Sequence, residues 1–316
     1  MDIYRHYHPL PDDARGAVVA IGNFDGIHLG HQAVIARADA LARQAGARPG
    51  ILTFEPHPRG FFQPQAAPFR LTPFRSKAER LRRLGVEVLY NLHFNALLAA
   101  KSAEDFVRDV LVRGLGIRHA VVGYDFVFGN RRRGTAAMLQ ELGARLGFAV
   151  TIVEPVQRAG ELYSSTRIRR LLQEGRPRDA ARLLGCDWEI DGRVEHGDER
   201  GRTLGFPTAN LYLEDYLRPA AGVYAVRAGL DRDGPWYGGA ANFGTRPTFD
   251  GGDLRLEVHL FDFHGDLYGR HLRVALVDYL RPDWKFSGVA ALTAQIAKDC
   301  TAARAILAAA PGAATT

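Results

Sequence analysis

The stretch AVVAIGNFDGIHLGHQAVIARADALARQAGA, residues 17–47, decides how the first half of the chain is read. It opens on a short apolar run, AVVAIG (17–22), which reads as a buried strand. A turn rich in Gly, Asn and Asp follows, and HQAVIARADALARQAGA then has the texture of a helix ending near Gly46. The same alternation continues. GILTFE (50–55), VEVLYNL (86–92), RHAVVGYDF (118–126) and FAVTIVEPV (148–156) read as strands, and SKAERLRRLG, SAEDFVRDVLVRGLG and TAAMLQELGARLG as helices between them. Ser102 is a candidate N-cap, with Asp105 in the first turn. Strands interleaved with helices predict an α/β domain with a doubly wound parallel sheet, which binds ligands at the carboxyl ends of its strands.

Within this stretch, GNFDGIHLGH (22–31) leaves the first strand and opens the first helix. A helix N-terminus there offers free backbone N–H groups and the positive end of a dipole, an anion site in waiting. His28 and His31 lie about one turn apart around Gly30, which leaves room for a phosphate to approach the backbone. Two imidazoles at that place can donate to phosphate oxygens as charge builds up. Read without that context, they are capping or surface histidines. At the far end of the half, SSTRIR (164–169) follows the last strand and begins another helix, with Ser164, Ser165 and Thr166 as caps and Arg169 on its first turns. SSTRIRRLLQEGRPRDAARLLG (164–185) reads as two short helices broken around Gly175 and Pro177.

After Gly185 the texture changes. WEIDGRVEH, AGVYAVRAGL, WYGGAANF, LRLEVHLFDF and RHLRVALVDYL succeed one another with Gly, Pro and Asp turns. In LRLEVHLFDF, Leu254, Leu256, Val258 and Leu260 alternate with Arg255, Glu257, His259 and Phe261, the period of a strand with one buried face. These runs predict a small antiparallel β-barrel, closed by a helix near 287–309 and a frayed PGAATT tail. The expected domains are 1–185 and 186–316. GRVEHGDERGRTLGFPTANL (192–211) carries Gly192, Gly197, Gly201 and Gly205 and ends in PTAN. There is no G-x-x-x-x-G-K-[ST] string, so the phosphate loop of Walker-type enzymes is excluded. Thr208 and Asn210 are two apart, so on an extended segment they share a face and present hard oxygens suited to Mg²⁺.

Composition narrows the classes. The 316 residues are 47% hydrophobic and 24% charged, which excludes disordered and fibrous chains. The net charge is +6, and with only four lysines (Lys77, Lys101, Lys285, Lys298) against 37 arginines the bias reads as coding composition. RRR at 131–133 is the one tight basic cluster, so no nucleic-acid partner is expected. Cys186 and Cys300, in different halves, form neither a disulfide framework nor a zinc set. The N-terminus MDIYRHYHPLPDD has no apolar core of a signal peptide, and no run of 18 apolar residues occurs, so no membrane partner is expected. The expectation is a cytoplasmic protein, monomeric or weakly homo-oligomeric.

H-x-G-H followed by S-T-x-x-R is the signature of the nucleotidylyltransferase superfamily. GNFDGIHLGH, LTFEPHPR (52–59), GYDFVFGNRRRGT (123–135) and SSTRIR together resemble the FMN adenylyltransferase module of bacterial FAD synthetases. GRVEHGDERGRTLGFPTANL, GVYAV, NFGTRPTF and LEVHLFDF resemble, in that order, the riboflavin kinase module, a six-stranded barrel. The chain is similar to bifunctional bacterial FAD synthetases over roughly 15–305, departing at Phe243, Trp284 and Gly288. The resemblance implies ATP-dependent phosphorylation of riboflavin to FMN, then adenylyl transfer from ATP to FMN, giving FAD and pyrophosphate. It implies ATP, riboflavin, FMN and FAD as ligands and Mg²⁺ with the ATP. By it, His28 and His31 stabilise the transferring phosphoryl group and Arg169 steadies the phosphates. Gly22, Asn23, Phe24, Gly30, Ser165 and Thr166 belong to the first ATP site, and Phe54, Asp125 and the EPHP turn to the flavin side. Gly201 and Thr208 belong to the second ATP site, Thr208 and Asn210 hold Mg²⁺, and Glu257 is the general base for the ribityl hydroxyl. A base facing a ligand cleft is expected to contribute little to stability. Two other readings are a basic nucleic-acid-binding protein and a nucleotidylyltransferase with another acceptor and an accessory barrel. PTAN and LEVHLFDF speak against the latter.

Overall fold

The computed structural model describes residues 1–155, 157–158, 161–196, 201, 204–232, 234–245 and 254–310. Gly197, the RPTF of NFGTRPTF and the PGAATT tail lie outside them. The chain divides into two compact units. The first holds residues 1–67 and 72–164, and the second holds Pro68–Leu71 and the chain from Ser165 onward.

In the first unit, β1 (Asp2–Tyr4), β2 (Val18–Ile21), β3 (Pro49–Glu55), β4 (Val88–His93), β5 (His119–Gly123) and β8 (Ala149–Val153) form a parallel sheet in the order β1-β4-β3-β2-β5-β8. The small pairs β6 (Val127–Phe128) with β7 (Gly134–Thr135), and β9 (Gln157–Arg158) with β10 (Glu161–Leu162), lie apart from it. The helices are α1 (Leu29–Ala45), α2 (Pro58–Phe62), α3 (Phe74–Arg83), α4 (Ala96–Ala100), α5 (Ala103–Asp105) and α6 (Ala136–Leu146). α5 is capped by Ser102, which accepts from the Asp105 N–H, and continues as a π-helix over Phe106–Leu115. The doubly wound sheet is the expected fold, with one strand more than expected. β1 comes from the N-terminal segment and pairs with the outer edge of β4.

Hydrophobic strands buried on both faces explain the two core clusters of this unit. Val19, Ile21, Leu52, Tyr90 and Val122 enter one, and Val18, Ala20, Ile51, Leu89 and Val121 the other, against Val34, Ile35 and Ala38 of α1. Gly46, at φ 57° and ψ 37°, ends α1 in the left-handed conformation that glycine adopts without penalty. The strand order reverses at β2, between β3 and β5. In such sheets that switch point opens the ligand crevice at the carboxyl ends of the strands.

In the second unit, α7 (Ser165–Gln173) and α8 (Pro177–Leu184) precede the antiparallel strands β11 (Trp188–Arg193), β12 (Ala209–Tyr212), β13 (Gly222–Leu230), β14 (Trp236–Thr245), β15 (Leu254–Leu260) and β16 (His271–Arg281). Their order is β11-β16-β13-β14-β15-β12. The Glu195 N–H donates to Asn210 O at 3.0 Å, so the continuation of β11 bridges back to β12 and nearly closes the barrel. The expected barrel is thus observed, and α9 (Val289–Ala309) covers it through Ala303 against Ala225, Ala240 and Phe261. α8 packs on β11 and β16, and Arg178 pairs with Asp278 at 2.8 Å. The Trp188 indole donates to Leu71 O at 2.8 Å, which ties the 68–71 segment into this unit.

Candidate active sites

The first centre grows from the carboxyl end of β2. The turn after it holds Phe24, Gly26 and Ile27 at φ 48°, 87° and 42°. Left-handed backbone at two bulky residues costs about 1–2 kcal/mol each, so the surroundings must impose it. Phe24 and Ile27 are buried, 1% and 0% exposed, and their side chains anchor the turn in the core. Polar contacts complete the hold. The fully buried Lys77 of α3 donates from Nζ to Asn23 O at 2.7 Å and to Thr53 Oγ1 at 3.4 Å. The Thr72 N–H donates to Asp25 Oδ1 at 3.0 Å, the Gly26 N–H to Thr72 Oγ1 at 2.8 Å, and Arg80 to Gly26 O at 3.2 Å.

This turn delivers His28 as the N-cap of α1. Its Nδ1 accepts from the His31 N–H at 3.3 Å. A ring nitrogen that accepts a hydrogen bond carries no proton, so in neutral His28 the proton sits on Nε2. The His28 and His31 rings stack at 3.7 Å, and the Phe24 ring meets His31 edge-on at 5.3 Å. Phe24 thus supports His31 from the core. A Cβ on Gly30 would lie 3.2 Å from His28 Cε1 and Nδ1 and 3.5 Å from Tyr163 Cβ, so glycine there leaves the imidazole its place. The arrangement joins the capping reading of the histidines to the functional one: the cap contact is what orients the donor.

Phe54 at the end of β3 meets Phe94, just past β4, at 5.8 Å, and Phe61 and Phe62 of α2 meet the same ring at 5.3 and 5.8 Å. Phe62 is 65% exposed, so this aromatic cluster reaches the surface at the carboxyl edge of the sheet. His57 of the EPHP turn caps α2 as His28 caps α1, its Nδ1 accepting from the Arg59 N–H at 3.1 Å. Asp125 is exposed just past β5. Gly22, Asn23, His28, Gly30, His31, Phe54 and Asp125 therefore all lie at or just past the carboxyl ends of strands of one sheet. Ser165, Thr166 and Arg169 fall on α7 in the second unit. There Arg169 Nε donates to Phe69 O at 2.8 Å, with the guanidinium 5.5 Å from the Phe69 ring.

The second centre is set by strand register. Glu257 of β15 stands directly opposite Asn210 of β12 on one side and Asn242 of β14 on the other. Opposed residues share a face, with Cβ atoms about 5 Å apart. Asn210 is 5% exposed. Thr208 precedes β12, and its Oγ1 would lie 3.3 Å from a Cβ on Gly201. That Cβ would meet Phe206 O at 2.3 Å, so no side chain fits at 201. His259 Nδ1 bonds Pro207 O at 2.9 Å and pins the PTAN segment. Arg255 Nε lies 3.3 Å from Glu257 Oε1, both side chains being largely buried. This corrects the expectation that Glu257 contributes little to stability, because its loss leaves a buried guanidinium without that charged neighbour.

Sequence reading missed Lys77, Thr72, His259, Asn242 and Asp283. A signal existed for Lys77. In a chain where arginine stands at 37 of 41 basic positions, a lysine retained in an amphipathic helix marks a place where the wider guanidinium does not fit. With its amide turned so that Nδ2 faces the two acceptors, Asn242 donates to Gly222 O at 3.1 Å and to Asp283 Oδ1 at 2.9 Å. Burial raises the Asp283 carboxyl above its ordinary range, against the lowering pull of Arg281.

Two family descriptions match the chain, FAD synthetase over residues 10–167 and riboflavin kinase over 184–307. A bifunctional riboflavin kinase/FMN adenylyltransferase of Pseudomonas fluorescens is 44% identical over 309 residues, covering 98% of each chain. The chain belongs to this family. The protein of the same name from Escherichia coli K12 is 41% identical over 96% of this chain and 97% of its own. A solved structure described as a macrolide-efflux protein from Streptococcus pneumoniae superposes with a TM-score of 0.84 at 34% identity, over 96% of this chain and 98% of that one. No described helix here is long and apolar enough to cross a membrane.

Proposed function

We infer that the chain phosphorylates riboflavin to FMN with ATP and then adenylylates FMN to FAD with release of pyrophosphate. The observation that carries this is the tandem match, both modules of the bifunctional family present in one chain along 98% of its length. The division of labour assigns adenylyl transfer to residues 1–185 and the kinase to 186–316. The same reading places the chain in the cytoplasm, where ATP is at hand for both steps.

In the adenylylation, an oxygen of the FMN phosphate attacks the α-phosphorus of ATP and pyrophosphate leaves. The attacking group comes with the substrate, so no enzyme nucleophile is needed and catalysis is alignment and charge stabilisation. The His28 Nε2–H, oriented through Nδ1, is the donor to the phosphate oxygens, and His31 stacks behind it. The Phe54, Phe61, Phe62 and Phe94 cluster offers an apolar platform for the flavin ring, and Asp125 is assigned to the flavin on the resemblance of GYDFVFGNRRRGT. Arg169, Ser165 and Thr166 are assigned to the triphosphate on the resemblance of SSTRIR.

In the phosphorylation, Glu257 takes the proton of the ribityl 5′-hydroxyl, the oxygen attacks the γ-phosphorus and ADP leaves. Mg²⁺ enters as part of the ATP substrate. A threonine hydroxyl and an asparagine carbonyl, Thr208 and Asn210, fit that role: Mg²⁺ keeps most of its waters and needs few protein oxygens beside the phosphates. Incubation with riboflavin, ATP and Mg²⁺, followed by chromatography of the flavins, is expected to yield FMN and FAD. Formation of neither overturns the reading.

A further inference from the structure

β15 carries Glu257 and, two residues on, His259, so both side chains leave the same face of the strand. The proposed kinase mechanism uses the first and leaves the second without a task. His259 Nδ1 lies 2.9 Å from Pro207 O. A carbonyl oxygen only accepts, so Nδ1 carries the proton and donates, the reverse of the His28 cap. The ring is held on two sides. Phe206 meets it at 5.5 Å and Phe261 at 5.9 Å, both near edge-on, and Phe261 is itself buried in the cluster under α9. The donor therefore has a fixed place on the barrel.

The oxygen it holds belongs to the peptide that joins Pro207 to Thr208. That peptide is planar, so a bond to its oxygen also sets the direction in which Thr208 leaves it. On the upstream side the proline ring locks φ of residue 207 at about −65°. On the downstream side Ala209 enters the ladder opposite Val258, and Asn210 stands opposite Glu257. Thr208 is the single link between the two restraints. We propose that His259 is a positioning residue of the kinase centre, its Nδ1–H fixing the Pro207–Thr208 peptide and so aiming the Thr208 hydroxyl for the Mg²⁺ that enters with ATP. This deepens the proposed function and rests on Thr208 as part of the nucleotide site. The base and the donor that aims the nucleotide segment then share one strand, and their spacing is set by its pleat rather than by a loop.

The test compares three substitutions in the full chain. Asparagine places an amide N–H the same number of bonds from the backbone as Nδ1, and glutamine one bond farther out, so only the first replaces the donor. Riboflavin phosphorylation is measured against ATP and against riboflavin for the wild type, His259→Ala, His259→Gln and His259→Asn. Binding of Mg·ADP is read by calorimetric titration, with Thr208→Val marking the step that belongs to the kinase centre. Loss of the bond is expected to lower kcat/KM for ATP and the affinity for Mg·ADP about tenfold each in His259→Ala and His259→Gln, with KM for riboflavin within about twofold of the wild type. His259→Asn is expected to stay within about threefold on both measures. Wild-type values in His259→Ala, an equal loss on riboflavin, or a loss in His259→Asn as large as in His259→Ala overturns the proposal. Should His259→Ala not fold, as read by its melting curve, the glutamine and asparagine variants carry the same comparison. Thr208→Val separates the two readings. Unchanged Mg·ADP binding in that variant withdraws the Thr208 assignment itself, whereas a loss there beside wild-type values in His259→Ala withdraws the role of His259 alone.

Discussion

Gly30→Ala puts the first centre to a sharp test, because it is expected to separate activity from stability. Gly30 lies in the first turn of α1, where alanine is the better helix former by about 1 kcal/mol. The added methyl would sit 3.2 Å from two atoms of the His28 ring. Ordinary carbon contacts lie near 3.6 Å, so the imidazole must retreat by about 0.4 Å. It cannot do so freely, since its Nδ1 is held by the His31 N–H and its face by the His31 ring. If a displacement of about 1 Å costs about a hundredfold, this one costs about tenfold, before counting the closed path of a phosphate to the backbone. The assay is the rate of FAD formation from supplied FMN, with FMN formation from riboflavin as the control and the melting temperature alongside. FAD formation at least tenfold slower, at an unchanged or raised melting temperature, is the expected result. Wild-type FAD formation would refute the placement of His28 against the reacting phosphates.

His28→Ala is expected to slow FAD formation by about 10²–10³ and to spare FMN formation, as read by single-substrate assays of each half-reaction. Glu257→Gln is expected to lower riboflavin phosphorylation by about 10²–10⁴ with adenylylation of supplied FMN retained. Because Arg255 then loses the carboxylate beside it, a lower melting temperature is expected in the same variant. Lys77→Met removes the buried ammonium that bonds Asn23 O and Thr53 Oγ1 and is expected to cost about 1–3 kcal/mol in denaturant unfolding, since hydrogen bonds made by a charged donor are lost. Adenylylation falls with it as the Gly22–His28 turn loosens, and unchanged stability would show that the turn does not depend on this lysine.

Features that live in consecutive residues were legible in the sequence. The apolar strands, the Ser102 cap, the Gly46 stop and the helix-opening GNFDGIHLGH each carry a local signal with a period or a turn chemistry. β1 was not legible, because three residues hold no period and Asp2–Tyr4 becomes a strand only through the backbone edge that β4 offers. The π-helical turns after α5 escaped for a similar reason, since the apolar spacing alone does not separate an i→i+5 ladder from an α-helix. Whether α7 and α8 pack on the parallel sheet or on the barrel was equally beyond a periodicity argument, because an amphipathic helix shows that it has an apolar face but not what covers it.

The site shows the same boundary at finer grain. His28, Gly30 and His31 are close in sequence and could be read together, yet what orients them comes from afar, with Lys77 and Thr72 some fifty positions away reaching back to Asn23 and Asp25. Glu257 could be singled out, but its neighbours could not, because a strand residue's partners are fixed by pairing register and a slip of one residue would have replaced Asn210 and Asn242 with the buried Ala209 or Ala241 opposite it. The reacting groups therefore sit in short motifs, while the groups that aim them sit on other elements. That division has a physical cause. A donor or base must be held within a few tenths of an ångström, and the restraint that holds it must come from a direction its own segment does not supply. Lys77 and Thr72 supply it here for the turn that carries His28.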